Sequence, residues 1–215
     1  MTTKLAAFAV CCAIATFFAL TASQPGLVFR YDAATAAGID GAIHVKYAGE
    51  DSPVAAISAV LDFSRVNQSA IQTFDPSCVT PVAEYKWHIH VRWSSRHSSA
   101  SFGQCLLPAT GNHYDPLFAC SADSEHIDAP QCRARATKYS CNPKSYAKSP
   151  SSCEKGDLSG KFGNFMLNAE QKASGKWIDQ HFPLPSETRP SWSIVLHAVC
   201  GNHATRVACA VEEKA

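Results

Sequence analysis

The sequence predicts an antiparallel all-β domain, either a sandwich or a barrel. Short segments rich in β-branched and aromatic residues recur along the chain, and each ends at turn-forming residues. Hydrophobic residues make up 46% of the 215 residues and charged residues 17%, so the chain can bury a core and is not disordered. The predicted strands lie within Ala42 to Tyr47, Val54 to Val66, Val82 to Trp93, Trp192 to Val199 and Arg206 to Val211.

Helical periodicity is weak throughout the chain. Leu167 to Ile178 has a pattern compatible with a helix, but Gly175 and Trp177 favour a strand or a loop there. From Leu117 to Cys153 the composition changes to Ser, Ala, Lys and Pro with four cysteines. This composition predicts a long loop held by disulfides rather than a second domain.

Residues 1–23 have the layout of a secretory signal peptide, which leaves residues 24–215 as the mature domain. Lys4 precedes an uncharged apolar run, and small residues up to Ser23 supply a cleavage point. An uncleaved anchor is the alternative for an apolar run of this length. We expect a secreted, extracellular protein that has no membrane attachment after cleavage.

The charge balance gives no reason to expect binding to nucleic acid. Of the 19 basic residues cleavage removes Lys4, which leaves them equal in number to the 18 acidic residues. A mature chain without net charge has no bulk attraction for polyanions or anionic membranes. Attraction for any charged substrate must therefore come from a local group.

Cysteines are frequent, and their number predicts disulfides. Two of the ten cysteines, Cys11 and Cys12, lie in the predicted signal peptide. The remaining even number in an oxidising compartment favours disulfides, and no Cys-x-x-Cys pair favours a metal-thiolate site. The triplet that begins at Asn67 is a glycosylation sequon, which is compatible with export.

His88 and His90 lie in the strongest strand segment, separated by Ile89. On a strand, alternate residues point to the same face about 6.6 Å apart. Two imidazoles on one face can converge on a metal ion. Taken alone, the pair is explained equally well by two histidines on a solvated strand face.

Four further blocks follow this motif along the chain. In order and in residue type, the five blocks resemble the copper/zinc superoxide dismutase family over about residues 40 to 211. The resemblance implies a Greek-key β-barrel. The blocks are residues 87–91, 111–116, 153–161, 193–198 and 205–210.

The resemblance also implies roles for particular residues. Cys105 and Cys209 fall near the family's disulfide, which leaves the pairing of six other cysteines open. Arg206 falls where the family places the arginine that attracts the superoxide anion. The copper ligands of the family fall on His88, His90, His113 and His197.

Two departures from the bimetallic enzymes concern zinc and the access to copper. Asp157 remains from the zinc site, but Glu154 stands three positions before it, and only His126 in the long loop is left as a further zinc ligand. Nine positions separate His197 from Arg206, which leaves no room for a long charged loop and predicts an open copper site.

These departures resemble the extracellular copper-only superoxide dismutases of fungi and related microbial eukaryotes. The resemblance implies that Glu154 holds the His113 ring and that Asp157 supports the site without binding metal. A carboxylate that accepts the distal N–H of a ligating imidazole fixes its tautomer and raises its basicity. Copper without zinc is therefore the expected cofactor.

The resemblance implies a secreted, copper-dependent superoxide dismutase that converts superoxide into dioxygen and hydrogen peroxide, with Arg206, Glu154 and His113 as catalytic residues. A secreted protein that only binds or buffers copper is the alternative, and Arg206 favours the enzyme. A third hypothesis is an adhesion module in which residues 118–152 bind a partner.

The sequence predicts no oligomeric state. The other histidines are expected at the surface or in the core: His44, His97, His126, His181 and His203.

Overall fold

The computed structural model describes residues 25–79, 81–93 and 102–214, and within them the chain forms one antiparallel sheet of eight strands. The predicted signal peptide and His97 lie outside the described residues. The strands are β1 (Gly26–Tyr31), β2 (Asp40–Tyr47), β3 (Ala55–Asp62), β4 (Glu84–His90), β5 (Phe165–Met166), β6 (Lys172–Asp179), β7 (Ser193–Cys200) and β8 (His203–Lys214).

The strand order makes the sheet a nearly closed Greek-key barrel. The order is β5-β4-β7-β8-β1-β2-β3-β6, so β3 pairs with β6 and β4 pairs with β7 across intervening parts of the chain. Strand β8 joins the two halves, because its first part pairs with β7 and its end pairs with β1. The predicted fold class is confirmed.

Strand β4 shows how alternation separates the core from the outer face. Tyr85, Trp87 and Ile89 are fully buried and face the barrel interior. The Trp87 ring packs against Phe165 at 4.8 Å and against Trp177 at 5.0 Å between ring centroids. Successive strand residues point to opposite faces, so the residues between these three point away from the core.

Five α-helices, each of four to seven residues, lie in the described connections. They are too short for a 3.6-residue period to be recognised in the sequence. None of the helices within the described residues is long and apolar enough to span a bilayer. The helices are α1 (Gln68–Phe74), α2 (Leu107–Thr110), α3 (Pro130–Arg135), α4 (Pro143–Lys148) and α5 (Leu158–Phe162).

The strand predictions hold with three differences. Neither β1 nor the two-residue β5 was among the predicted segments. The segment predicted from Val54 to Val66 ends as a strand at Asp62, because the Asp62 side chain accepts the Ser64 N–H and turns the chain. The exposed Asn67 then caps α1 by accepting the Ala70 N–H, while its glycosylation remains a prediction.

Four disulfides join the eight described cysteines. Two of them cross-link distant parts of the barrel, at sequence separations of 122 and 104, and two close short loops in the cysteine-rich segment at a separation of 12. Disulfides at this density are typical of secreted domains. The pairs are Cys78–Cys200, Cys105–Cys209, Cys120–Cys132 and Cys141–Cys153.

We predict that the long-range disulfide contributes more to stability than a local one. Cross-linking restricts the unfolded chain more when the closed loop is longer. Replacing Cys78 and Cys200 by serine should lower the unfolding free energy of the metal-free protein by about 5 kcal/mol, against about 3 kcal/mol for the Cys120 and Cys132 pair. Urea denaturation of both double variants measures this difference, and equal losses would contradict the chain-entropy account.

Candidate metal centre

Four buried histidines converge at one side of the barrel. His88 and His90 come from β4 and His197 comes from β7, while His113 lies on the connection that follows β4. One nitrogen from each ring lies within 4.8 Å of the corresponding nitrogens of the others. All four side chains are buried. The structure therefore brings together the four residues that the sequence predicts as metal ligands.

Strand geometry places three of these rings on one face. His88 and His90 alternate with the core residues of β4, so both point away from the barrel interior. His197 on β7 stands opposite Lys86 on β4 and opposite Arg206 on β8. A register shift at Leu196/His197 offsets β8 by one residue at this point.

His113 is held against β4 by a close approach of three backbone segments. The Tyr114 N–H donates to Ile89 O, the Ile89 N–H donates to Gly156 O, and the Gly156 N–H donates to Tyr114 O. A Cβ atom at Gly156 would lie 2.6 Å from Ile89 O and 2.9 Å from Tyr114 N. Only glycine fits where these segments meet, which explains its place between the Glu154 and Asp157 carboxylates.

Each imidazole turns one nitrogen outward to an oxygen atom. Such contacts orient metal-binding histidines and select their tautomer. The pairs are His90 Nδ1 to Gly111 O at 2.9 Å, His113 Nδ1 to Glu154 Oε2 at 2.9 Å, His197 Nδ1 to Ala204 O at 3.2 Å, and His88 Nε2 to Asp157 Oδ1 at 3.5 Å.

The inward nitrogens fit a metal ion. His88 Nδ1 and His113 Nε2 are buried and have no hydrogen-bond partner among the described residues. His90 Nε2 and His197 Nε2 lie 3.2 Å apart. Because carbonyl oxygens only accept hydrogen bonds, the Nδ1 atoms of His90 and His197 carry the protons and their Nε2 lone pairs face each other. These two lone pairs repel each other, and a cation bound between the nitrogens would remove the repulsion. A set of four neutral imidazoles suits Cu(II).

Burial keeps three of the rings neutral. Burial, with a smaller effect of the neighbouring His113, lowers the pKa of His88 to about 4. The pKa values of His90 and His197 are also well below their usual value, because burial and the surrounding imidazoles disfavour the charged form. Neutral imidazole is the form that binds a metal ion.

His113 differs because of Glu154. Burial lowers the pKa of His113, but the hydrogen bond and the charge of Glu154 outweigh it and leave this pKa above its usual value. Glu154 is fully buried, and its second oxygen accepts the Ser121 N–H at 2.7 Å. The carboxylate is thus fixed against the ring by a backbone donor.

Asp157 contacts His88 and is held from two sides. Its Oδ1 accepts the Gly160 N–H at 2.7 Å, and its Oδ2 accepts the Tyr139 hydroxyl at 2.7 Å. Burial opposes ionisation of Asp157, but the contact with His88 and the hydrogen bond from Tyr139 hold its pKa below the usual range. Asp157 is therefore an ionised acceptor next to the metal-binding face.

Arg206 is coupled to the histidines through a shared carbonyl. Its Nη1 donates to Gly111 O at 2.7 Å, the same oxygen that His90 Nδ1 contacts. The Nη1 atom also donates to Thr110 Oγ1 at 2.7 Å, and the Thr110 hydroxyl donates to Cys105 O. Thr110, which is hydrogen-bonded to the backbone of Cys105 in the Cys105–Cys209 disulfide, therefore orients the Arg206 guanidinium.

A surface cleft of about 720 Å³ leads to the histidines, and Arg206 lines it. Lys86 and Tyr139 also line the cleft, although the sequence analysis assigned them no role. Strand alternation reveals Lys86, because it lies two residues before His88 on the same face. No sequence pattern reveals Tyr139, which approaches from the cysteine-rich segment.

The remaining described histidines lie outside the four-histidine cluster. His44 and His203 are exposed, and His181 is half-buried. The His126 ring stacks on Phe118 at 4.0 Å between centroids. Two other groups of metal-type ligands occur within the described residues, but each contains a disulfide pair and so offers no thiolate.

Comparison with solved structures identifies proteins of the same fold. Candida albicans superoxide dismutase 5 in its Cu(II) form has 19% sequence identity and a TM-score of 0.56, over 89% of this chain and 93% of that chain. Two mutants of the same protein match at 18% and 20% identity, with TM-scores of 0.56 and 0.52, over 89% of this chain and 90% and 92% of theirs. No protein-family model and no curated protein matches the chain.

We predict that the metal-free protein loses stability as the pH falls below about 6.5, the usual pKa of histidine. His88, His90 and His197 stay neutral in the folded state and become protonated in the unfolded chain. The unfolded state then binds more protons, so the unfolding free energy should fall by up to about 4 kcal/mol per pH unit. His113 has the opposite effect on stability. Its raised pKa stabilises the folded protein at low pH, and this stabilisation is lost as the pH rises through that pKa.

Urea denaturation of the metal-free protein between pH 7.5 and pH 5 measures this dependence. Replacing His88 by glutamine should remove about a third of the slope. A free energy of unfolding that does not change over this range would contradict the assignment of three buried neutral imidazoles.

Proposed function

We propose that this protein is a secreted copper-dependent superoxide dismutase that works without zinc. The observation that carries the proposal is the set of four imidazoles whose outward nitrogens are occupied and whose inward nitrogens converge. Within the described residues, Arg206 lies beside this set in an accessible cleft. The fold shared with Candida albicans superoxide dismutase 5 in its Cu(II) form supports the same activity.

Export is part of the proposal. Residues 1–23 act as the signal peptide, and residues 24–215 form the superoxide dismutase-like copper domain. The four disulfides support an oxidising, extracellular location, because cytosolic reductants keep most thiols reduced.

The reaction converts two superoxide anions and two protons into dioxygen and hydrogen peroxide. Copper bound by His88, His90, His113 and His197 would supply one-electron chemistry between its Cu(II) and Cu(I) states. The β-strand rings have acceptors in the backbone or at Asp157 that keep their orientation constant. When its Nε2 is not bound to copper, His113 can take up a proton there, because Glu154 raises the pKa of its ring, and can pass that proton to the product.

Arg206 attracts the substrate. Its guanidinium lines the cleft and is fixed by Thr110 and Gly111, so its position relative to the rings is constant. Lys86 adds a second cation on the other side of His197, because the three residues stand in register on adjacent strands. The balanced net charge of the protein does not attract an anion, so this attraction comes from the local pair of cations, Arg206 and Lys86.

Glu154 takes the place that a second metal ion has in the bimetallic enzymes. The His113 Nδ1 that donates to Glu154 has no lone pair left for zinc, and the His126 ring stacks on Phe118. The hydrogen bond to Glu154 and the position of the His126 ring both support a copper-only site.

Metal analysis together with an activity assay tests the proposed function. Purified protein loaded with copper and dialysed should retain a single copper ion per chain and no zinc, and it should remove superoxide faster than the same amount of free copper. His197→Ala, which removes a ligand, is the control for adventitious copper. Activity no higher than that of free copper would contradict the enzyme, and stoichiometric zinc would contradict the copper-only site.

Replacing Arg206 distinguishes an enzyme from a copper-buffering protein. Arg206→Gln should retain copper but lower kcat/KM for superoxide by about tenfold, because a fixed cation beside the ligands is lost. The remaining rate should also depend less on ionic strength, since salt screens the attraction that Arg206 provides. Stopped-flow kinetics at several salt concentrations measures both effects.

Lys176→Gln is the matched control for charge. Lys176 is exposed on β6 and does not line the metal-site cleft, but its loss changes the net charge by the same amount. Equal effects of the two variants would show that Arg206 has no special role, and the buffering function would then be favoured.

A further inference from the structure

The cysteine-rich segment reaches the candidate metal site. Residues 118–152 contain the Cys120–Cys132 disulfide, and Cys141 within them pairs with Cys153. Tyr139 lies between the two disulfides, half-buried, and lines the cleft that leads to the histidines. Ser121 of the same segment donates to Glu154. The segment is therefore part of the site and not an appendage that can be trimmed independently.

The Tyr139 hydroxyl connects the two carboxylates behind the ligands. It donates to Asp157 Oδ2 at 2.7 Å and accepts the backbone N–H of Glu154 at 3.1 Å. A phenol has one donor hydrogen, and Tyr139 uses it on Asp157. Burial and the two nearby carboxylates raise the pKa of Tyr139, so the hydroxyl keeps this hydrogen at neutral pH.

Each of these acidic residues contacts a different histidine. Glu154 accepts from His113 Nδ1 at 2.9 Å, and Asp157 lies 3.5 Å from His88 Nε2. The His88 and His113 rings also stack at 4.2 Å between centroids. Movement of the turn that carries Glu154 and Asp157 would therefore displace both rings together.

We propose that Tyr139 is a positioning residue that fixes the His88 and His113 rings through Asp157 and Glu154, and that the two local disulfides hold Tyr139 in place. The inference rests on the proposed copper site. Tyr139 does not touch the metal-binding nitrogens and acts only through the two acidic residues. The disulfides thereby contribute to the geometry of the site as well as to stability.

Tyr146 provides a matched control in the same segment. Its hydroxyl donates to the buried Asp179, which is paired with Lys161. Tyr146→Phe thus removes a hydroxyl from a buried carboxylate, as Tyr139→Phe does, but at a carboxylate that does not contact the histidine cluster. Loss of stability alone should affect both variants, whereas loss of ring positioning should affect only Tyr139→Phe.

The test compares wild type, Tyr139→Phe and Tyr146→Phe, each loaded with one equivalent of Cu(II). Outer contacts of ligating histidines typically change metal affinity by about 10 to 100-fold. We expect Tyr139→Phe to shift the continuous-wave EPR spectrum of Cu(II) and to weaken copper retention against a chelator by about tenfold. Tyr146→Phe should keep the wild-type spectrum and affinity, with any loss confined to Tm.

A second variant removes one of the disulfides that hold Tyr139 and keeps the Tyr139 hydroxyl. Replacing Cys141 and Cys153 by serine releases one local disulfide, and we expect a change of the EPR spectrum in the same direction as for Tyr139→Phe. Spectra and affinities that equal those of wild type, or that change alike in Tyr139→Phe and Tyr146→Phe, overturn the inference while the proposed function stands. A wild-type protein that binds no copper overturns the proposed function and the inference with it.

Discussion

The outward hydrogen bonds of the four imidazoles are the constraint on which the rest of the site depends. Oxygen acceptors at Gly111 and Ala204 require the Nδ1 atoms of His90 and His197 to carry the protons. Their Nε2 lone pairs are then directed at each other across 3.2 Å in a buried space. Without a cation this arrangement is repulsive, and with one it becomes a set of preoriented ligands. The protein thus holds unfavourable contacts that a cation bound between the rings would relieve.

The barrel maintains these contacts by joining parts of the chain that are distant in sequence. Strand β4 supplies two rings and β7 a third, while the backbone contacts at Gly156 hold the His113 connection and the turn with Glu154 against β4. The Cys105–Cys209 disulfide lies beside Thr110, which orients Arg206. Cross-links and backbone contacts thus hold the residues around the cleft in place.

The sequence predicts those features that repeat or that occupy fixed offsets. Alternation in β4 predicts the shared face of His88 and His90, and the same rule reveals Lys86 once the strand is known. The helices were missed because four to seven helical residues show no period. Strands β1 and β5 were also missed. The role of Tyr139 depends on a pair of hydrogen bonds across the fold, made at 15 and 18 residues' separation, and no local pattern encodes them.

Binding of one copper ion by four imidazoles is the central element of the proposed function. Pulsed EPR of the Cu(II)-loaded protein detects the remote nitrogen of each bound imidazole and so counts the histidines around the metal. We expect modulation from four imidazoles, and the single substitution His113→Gln should leave three. Copper bound by one or two imidazoles, or a spectrum that His113→Gln does not change, would contradict the account.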